Sequence, residues 1–409
     1  MAKNVIVGQS GGPTAVINSS LAGVYKTAKD LGADKVYGMR HGIQGFLEKN
    51  IVDMDEKIKT DLDLELLKRT PSAFLGSCRF KLPEASDNKE LYDKIFNILR
   101  EYDICAFFYI GGNDSMDTIK KLSDYAKEIN SNIRFMGVPK TIDNDLAVTD
   151  HTPGFGSAAK YIASATKELI RDGLVYDFKQ VTIIEIMGRN AGWLTGAAAL
   201  AKCEDCEGVD LLYLPELPFD MDDFMDRIGK LIEDKGNVVV AVSEGIKTKD
   251  DKYVFELGEH TEFVDSFGHK QLSGTARFLA DAVAAKYGVK TRPVELSTLQ
   301  RCAGHLTSRV DITEAYQVGG SAVKAAFEGE TGKMIILKRV SSDPYICTTD
   351  IYDVHEIANV EKKVPLEWII NDGTYVSEQL VNYIRPLIQA ELTPVMIMGQ
   401  PRHIVVDLV

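Results

Sequence analysis

Two carboxylates, Asp143 and Asp145, stand two residues apart in Pro139-Lys140-Thr141-Ile142-Asp143-Asn144-Asp145. A lysine and a threonine precede them, and an apolar run from Ile133 to Val138 leads in. One carboxylate of such a pair can accept a proton from a sugar hydroxyl while the other orients metal or substrate. Phosphoryl transfer asks for little beyond such a base, positioning and charge neutralisation. The plainer alternative is a solvated acidic turn, and the glycine-rich segments elsewhere in the chain weigh against it.

Gly8-Gln9-Ser10-Gly11-Gly12-Pro13-Thr14 is one of those segments. The amides of a tight glycine turn at a helix N-terminus make an anion site, although a turn without ligand fits equally. In Tyr109-Ile110-Gly111-Gly112-Asn113-Asp114-Ser115 two glycines allow close approach of a phosphate. There Asn113 and Asp114 offer the hard oxygen atoms that Mg²⁺ prefers, and the same residues would serve as a helix cap. Cations to hold anions are Arg79 in Phe74-Leu75-Gly76-Ser77-Cys78-Arg79, Arg189 in Met187-Gly188-Arg189-Asn190, and Arg301 in Thr298-Leu299-Gln300-Arg301. Arg292 upstream of Arg301 completes a possible fork for a second phosphate. A lone arginine is more often a surface ion pair. His41, His151, His269 and His305 are read as structural or surface residues.

The elements that must position these residues alternate regularly. Val5-Ile6-Val7 leads to a glycine turn and a helical stretch from about Thr14 to Leu31. Ile104 to Ile110 is apolar throughout, as in a strand covered on both faces, with a helix from about Ser115. Val181 to Met187 reads as a strand followed by an alanine-rich helix, Ala191 to Lys202, and Val238 to Val242 as a strand ending at Ser243-Glu244-Gly245. Strand, turn and helix in succession predict βαβ units and a parallel sheet. Open sheets of this kind bind ligands beyond the carboxyl ends of their strands. The glycine and polar residues named above cluster at those ends.

The 409 residues, 45% hydrophobic and 26% charged, are ordinary globular composition and suit two or three lobes. A net charge of -13 repels nucleic acid and anionic lipid, so neither is expected as a partner. An anionic small substrate then requires local cations that override the global field. Six cysteines without a leader-like segment, and no apolar run near the ~18–20 residues a bilayer span needs, predict a cytoplasmic protein with free thiols. Cys203-Glu-Asp-Cys206 lacks a second pair or a nearby histidine and is read as incidental spacing near a helix end.

Taken in order, these segments resemble the phosphofructokinase family from Gly8 to about Val323. The likeness rests on Gly11-Gly12, Leu75 to Arg79, Gly111 to Ser115, Thr141 to Asp145, Met187-Gly188-Arg189, Glu244-Gly245 and Gln300-Arg301. It implies an α/β fold of two Rossmann-like lobes with mostly parallel sheets and the active site in the cleft between them. Residues 1–156 with about 302–355 would form the phosphoryl-donor lobe, and 157–301 with about 356–409 the fructose 6-phosphate lobe. By the same likeness Asp143 is the base for the sugar 1-hydroxyl, and Thr141 and Asp145 position the reacting groups. Met187, Gly188, Arg189 and Glu244 hold the sugar, with Arg292, Thr298 and Arg301 toward its phosphate. Gly11, Gly12, Arg79, Gly112 and Ser115 belong to the donor side.

ATP-using members resemble Gly-Gly-Asp-Gly-Ser and Pro-Gly-Thr-Ile-Asp-Asn-Asp. This chain carries Asp114 and Lys140 where those patterns have glycine, which looks like the pyrophosphate-using branch. An aspartate at 114 would repel and obstruct a nucleotide's α-phosphate, and a lysine at 140 would stabilise a departing phosphate. The implied reaction makes fructose 1,6-bisphosphate from fructose 6-phosphate and pyrophosphate, reversibly, with Mg²⁺, in glycolysis, in a homodimer or homotetramer. Three positions depart from the pattern. Asn113 replaces a metal-binding aspartate. Gln180 replaces an arginine that reaches a neighbouring subunit, with Lys179 beside it. Ala22 replaces an effector-binding arginine. Rival readings are an ATP-dependent phosphofructokinase, a kinase for a related sugar phosphate such as sedoheptulose 7-phosphate, and a non-catalytic sugar-phosphate-binding subunit. Retention of Asp143, Asp145 and Lys140 speaks against the last. A nicotinamide-dependent dehydrogenase fits less well still, because the glycines do not follow GxGxxG.

Overall fold

The computed structural model describes residues 4–258 and 274–406. Eleven strands, numbered β1 to β11 in chain order, build two sheets. The larger takes β1 (Asn4–Gln9), β2 (Val36–Met39), β3 (Ile51–Asp53), β4 (Ile104–Gly111), β5 (Arg134–Pro139), β10 (Lys333–Ser342) and β11 (Tyr345–Asp353). Its order is β11-β10-β5-β4-β1-β2-β3, parallel except for the two edge strands. The smaller sheet is parallel throughout, in the order β7-β8-β6-β9, from β6 (Gln180–Ile186), β7 (Leu211–Tyr213), β8 (Asn237–Ser243) and β9 (Lys290–Glu295).

The apolar runs are continuous because both faces of each sheet are covered. In β4, Ala106, Phe108 and Ile110 face one core, while Ile104, Phe107 and Tyr109 face the other. In β8, Val239 and Ala241 face one core, and Val238, Val240 and Val242 the opposite one. The strand and helix positions read from sequence agree to within a few residues, with one difference. The stretch Ala191 to Lys202 is one helical turn, Trp193–Gly196, continued as a 3-10 helix, Ala197–Ala201. Its alanines are all buried and small enough to tolerate the eclipsed i, i+3 stacking of that tighter winding.

Each sheet has one place where successive connections leave in opposite directions. From β1 the chain turns toward β2, and from β4 toward β5. The crevice between β1 and β4 is therefore a switch point, where open α/β sheets bind ligands. In the smaller sheet β6 leads toward β7 and β8 leads across to β9, which makes a second switch point between β6 and β8.

The C-terminal stretch divides between the lobes. Val376, Leu380, Val381, Ile384 and Leu387 enter the smaller lobe's core, beside the Phe155–Gly173 helix. Val354, Ile357 and Ala358 lie in the larger lobe's core. Ile404 and Val406 return to the larger lobe, where the Ile404 N–H donates to Thr70 Oγ1 at 3.0 Å. The expectation that 356–409 goes wholly with the smaller lobe is corrected by these contacts. Apolar side chains at the far end find their burial on the larger sheet.

Under the larger sheet the Ile17–Asp30 and Arg309–Glu328 helices touch backbone to backbone. A Cβ on Gly23 would lie 2.1 Å from Tyr316 O, and one on Gly319 2.1 Å from Ser20 O. The N-terminal end of the first helix follows the Gly11-Gly12 turn, so this contact seats the turn as well. Gly23→Ala is expected to destabilise by about 1–3 kcal/mol through overpacking. Its better helix propensity, worth about 1 kcal/mol, offsets only part of that. The midpoint of urea unfolding checks it.

Candidate active site

The two switch points open onto one cleft of about 610 Å³. On the larger lobe, Gly11 has φ +75°, a conformation glycine adopts without strain. A Cβ on Gly111 would lie 1.9 Å from Ser115 Oγ, so only glycine lets the Asn113–Glu128 helix start directly beneath it. That helix presents its N-terminal amides, with Asn113 and Asp114, to the cleft. Lys140, next after β5, is 3% exposed and its Nζ donates to Gly12 O at 2.7 Å. Burial lowers the Lys140 pKa to about 8, against the pull of Asp143 and Asp145. Arg301 closes from the other side, with Nη1 3.0 Å from where a Cβ on Gly12 would sit. Burial, with Arg301 and Arg189 nearby, also pushes the Arg79 pKa below its ordinary value.

The carboxylate loop is shaped by the residue between its two acids. Asn144 is fully buried with φ +56°, its Oδ1 accepts from Thr152 N at 3.1 Å, and its Nδ2 donates to Tyr383 Oη at 2.9 Å. With Asn144 turned inward, Asp143 and Asp145 both line the cleft. Thr141 Oγ1 accepts from Asp143 N at 3.1 Å and donates to Asp143 Oδ2 at 3.2 Å. Burial raises the Asp143 pKa, with the Thr141 hydroxyl and then Lys140 opposing. Asp145 rises to about 7 through burial, then Asp143 and Glu361. Asn113 Nδ2 lies 3.5 Å from Asp145 Oδ2, while its buried Oδ1 has no hydrogen-bond partner.

The smaller lobe supplies the facing wall. Met187, Gly188 and Arg189 follow β6, and Glu244 follows β8. Gln300 Oε1 accepts from Met187 N at 3.3 Å, Glu244 Oε1 from Gly188 N at 3.3 Å, and Gly188 O from Ser243 Oγ at 2.6 Å. A Cβ on Gly245 would lie 1.9 Å from Arg189 O, so the Glu244 and Arg189 turns are in backbone contact. Burial raises the Glu244 pKa to about 8, against the hydrogen bond from Gly188.

The cleft thus gathers Gly11, Gly12, Arg79, Gly112, Asn113, Asp114, Ser115, Lys140, Thr141, Asp143, Asp145, Met187, Arg189, Glu244 and Arg301. Gly188, Arg292 and Thr298 are not among its lining, and Gly188 is buried. Arg292 pairs in register with Thr182, well before the carboxyl end of β6 where the cleft lies. Its guanidinium bonds Asp172 and lies 5.3 Å from the Tyr176 ring centroid. Thr298 sits on the exposed side of the turn whose Gln300 and Arg301 face inward. Gln180 is fully buried and donates to Gly173 O, and Ala22 is buried against the neighbouring helix, so neither reaches a ligand. Cys203 and Cys206 share an isolated antiparallel backbone β-bridge, and no disulfide joins any of the six cysteines, all of them among the described residues. His269 lies outside the described residues. Sequence reasoning missed Asn359 and Glu361, which also line the cleft. No glycine turn or strand end marks them, since they arrive from a distant irregular stretch.

Residues 4–326 match the sequence model of the phosphofructokinase family. The chain is similar to a pyrophosphate–fructose 6-phosphate 1-phosphotransferase of Halomonas elongata, 38% identical over 98% of this chain and 95% of the relative. A protein of the same name from Xanthomonas campestris pv. campestris is 40% identical over 95% of this chain and 92% of its own. Among solved structures, a pyrophosphate-dependent phosphofructokinase of Nitrosospira multiformis matches with TM-score 0.89 and 35% identity, covering 98% of this chain and 96% of that one.

The far end of the carboxylate loop is anchored by a buried ionic cluster. His151 Nδ1 lies 2.8 Å from Asp150 Oδ2 and Nε2 2.7 Å from Glu314 Oε2. Burial alone would lower the His151 pKa, but Glu314 and Asp150 outweigh it and raise it from 6.5 to about 9. A raised histidine stabilises the fold fully below its unfolded pKa, and this is lost as pH climbs through the folded value. Urea midpoints are expected to fall between about pH 6.5 and pH 9, by on the order of 3 kcal/mol in stability. His151→Gln, measured the same way, is expected to flatten that dependence.

Proposed function

The chain belongs to the phosphofructokinase family, and from that premise we propose that it transfers a phosphoryl group from pyrophosphate to the 1-hydroxyl of fructose 6-phosphate. The observation that carries this reading is the pair Asp114 and Lys140 in the donor half of the cleft. Asp114 stands in the first turn of its helix, where a nucleotide's further phosphate would meet a carboxylate. Lys140, held on Gly12 O, supplies a cation to a phosphate that departs with no nucleotide attached.

Pyrophosphate takes the glycine turns at the β1/β4 switch point, with Gly11, Gly12, Gly112, Ser115 and Arg79. Fructose 6-phosphate takes the β6/β8 side, with Met187, Gly188, Arg189 and Glu244 on the sugar and Arg301 on its phosphate. Asp143 accepts the proton of the 1-hydroxyl as that oxygen bonds to the near phosphorus and the bridging P–O bond breaks. Burial makes Asp143 a stronger proton acceptor than a solvated aspartate. Thr141 orients it, and Lys140 stabilises the departing phosphate. The residues fit a divalent cation, which we take to be Mg²⁺. Asn113 Oδ1 is an unpartnered buried oxygen, and Asp114 offers a carboxylate beside it in the cleft. Bound there, the ion would neutralise phosphate charge.

No helix among the described residues is long and apolar enough to cross a membrane. A cytoplasmic homo-oligomer in glycolysis completes the proposal. Leu174, Val175, Tyr176 and Phe178, all exposed beside Arg292, support a second copy as neighbour.

Initial rates with fructose 6-phosphate and Mg²⁺ test the donor. The wild type is expected to favour pyrophosphate over ATP by about 100-fold or more in kcat/KM, and Asp114→Gly/Lys140→Gly to lose most of that preference. Equal or faster turnover with ATP in the wild type would sink the donor assignment. A pH profile gives a second check. Lys140 must be charged to hold phosphate, so kcat/KM for pyrophosphate is expected to fall as pH rises through about 8. Lys140→Arg is expected to move that limb upward.

A further inference from the structure

Beyond residue 326, where the family match ends, the chain crosses the cleft once more. Residues 359–364 run from the larger lobe to the smaller, past the carboxylate loop. On the first side, Lys362 N donates to Asp145 O at 2.7 Å, and Glu361 forms a β-bridge with Leu146. Lys362 Nζ donates to Thr149 O and Asp150 O at 3.0 and 2.7 Å. On the other side the segment meets the turn that carries Arg189. Asn190 Nδ2 donates to Glu361 Oε1 at 2.8 Å, and Trp193 Nε1 to Lys362 O at 2.9 Å. Glu216 Oε1 accepts from Gly192 N and from Val364 N, at 2.8 and 3.0 Å.

We propose that residues 359–364 are a splint that holds the sugar-binding turn in register with the carboxylate loop, with Glu361 as its positioning residue. The role in catalysis rests on the reading of the cleft as a phosphotransferase site. The register itself does not. Nearly every other tie runs through backbone or through groups that the fold needs. The Asn190–Glu361 hydrogen bond is exposed and joins a half-buried asparagine to an exposed glutamate, one residue from Arg189 and one from the Lys362 N–H that holds Asp145. An exposed hydrogen bond contributes little to stability. Its leverage is geometric, because a displacement of about 1 Å between reacting groups can cost on the order of 100-fold in rate.

The test uses the full chain and the variants Glu361→Ala, Glu361→Gln, Asn190→Ala and Asn190→Ala/Glu361→Ala. Glu361→Ala and Asn190→Ala are each expected to lower kcat/KM for fructose 6-phosphate by about tenfold, with melting temperature unchanged. The double variant is expected to match the singles, as for two residues acting through one contact. Glu361→Gln keeps an acceptor oxygen for Asn190 and is expected to recover most of the rate. Amide hydrogen exchange over 187–193 is expected to quicken in Glu361→Ala and not in Glu361→Gln. Unchanged exchange, additive losses, or a glutamine variant as poor as the alanine one would overturn the splint. A wild type that does not phosphorylate fructose 6-phosphate would overturn the functional reading, and the exchange data would still decide the splint.

Discussion

The structure turns on the cost of holding like charges together out of water. In the proposed reaction the cleft receives two phosphate-bearing substrates and also keeps a carboxylate ready to take a proton. Four cations, Arg79, Lys140, Arg189 and Arg301, share its walls with Asp114, Asp143, Asp145, Glu244 and Glu361. Each desolvated group is driven toward its neutral form, which is why Lys140 falls while Asp145 and Glu244 rise. Neither set would be tolerable alone. The acids are kept apart from full ionisation by burial and by one another, and the cations are held by carbonyl oxygens such as Gly12 O. Arriving phosphates would pair with these cations directly. A chain with net charge -13 can bind anions on these terms because the field that matters is local.

That arrangement requires two sheets aimed at each other. A single switch point provides one crevice with one set of helix N-termini and glycine turns. Here the β1/β4 crevice and the β6/β8 crevice open onto the same space. The carboxylate loop after β5 passes between them, so Asp143 reaches both. The inward Asn144 fixes that loop. Its hydrogen bond to Tyr383 links the loop to a helix of the C-terminal stretch, and the Asp150–His151–Glu314 cluster holds its far end. Burial of a polar residue between two functional ones is a way to set their directions without touching the ligand.

Much of this was legible in the sequence, and for local reasons. Glycine at 11, 111 and 112, and the spacing of Asp143 and Asp145, report what the backbone does within a few residues. Strands buried on both faces, such as Ile104–Gly111, announce themselves by unbroken apolarity. What was not legible depends on chain return. Arg292 looked suitable by type and by nearness to Arg301, yet strand register places it beside Thr182, far from the ligand end. Asn359 and Glu361 sit in irregular chain more than 200 residues from Asp145, and polar residues in such stretches are ordinarily solvated. The split of the C-terminal stretch between lobes was hidden for a like reason, since Ile404 and Val406 look alike whichever core takes them.

In the proposed reaction the donor preference resides in very few residues. Asp114 and Lys140 lie on different elements, one opening a helix and the other closing a strand, and both border the Gly11–Gly12 turn's side of the cleft. Each alone would upset the charge balance: an added acid beside the phosphates, or an added cation beside Arg301 and Arg79. Together they leave the net charge of the site unchanged, and on the proposed reading they set negative charge where a nucleotide would extend and positive charge where a phosphate departs. On that reading a paired substitution of this kind would change which anion is welcome and leave untouched the proposed base, the sugar site and the scaffold. On the proposed assignment, the fold keeps one acceptor chemistry while two side chains decide its donor.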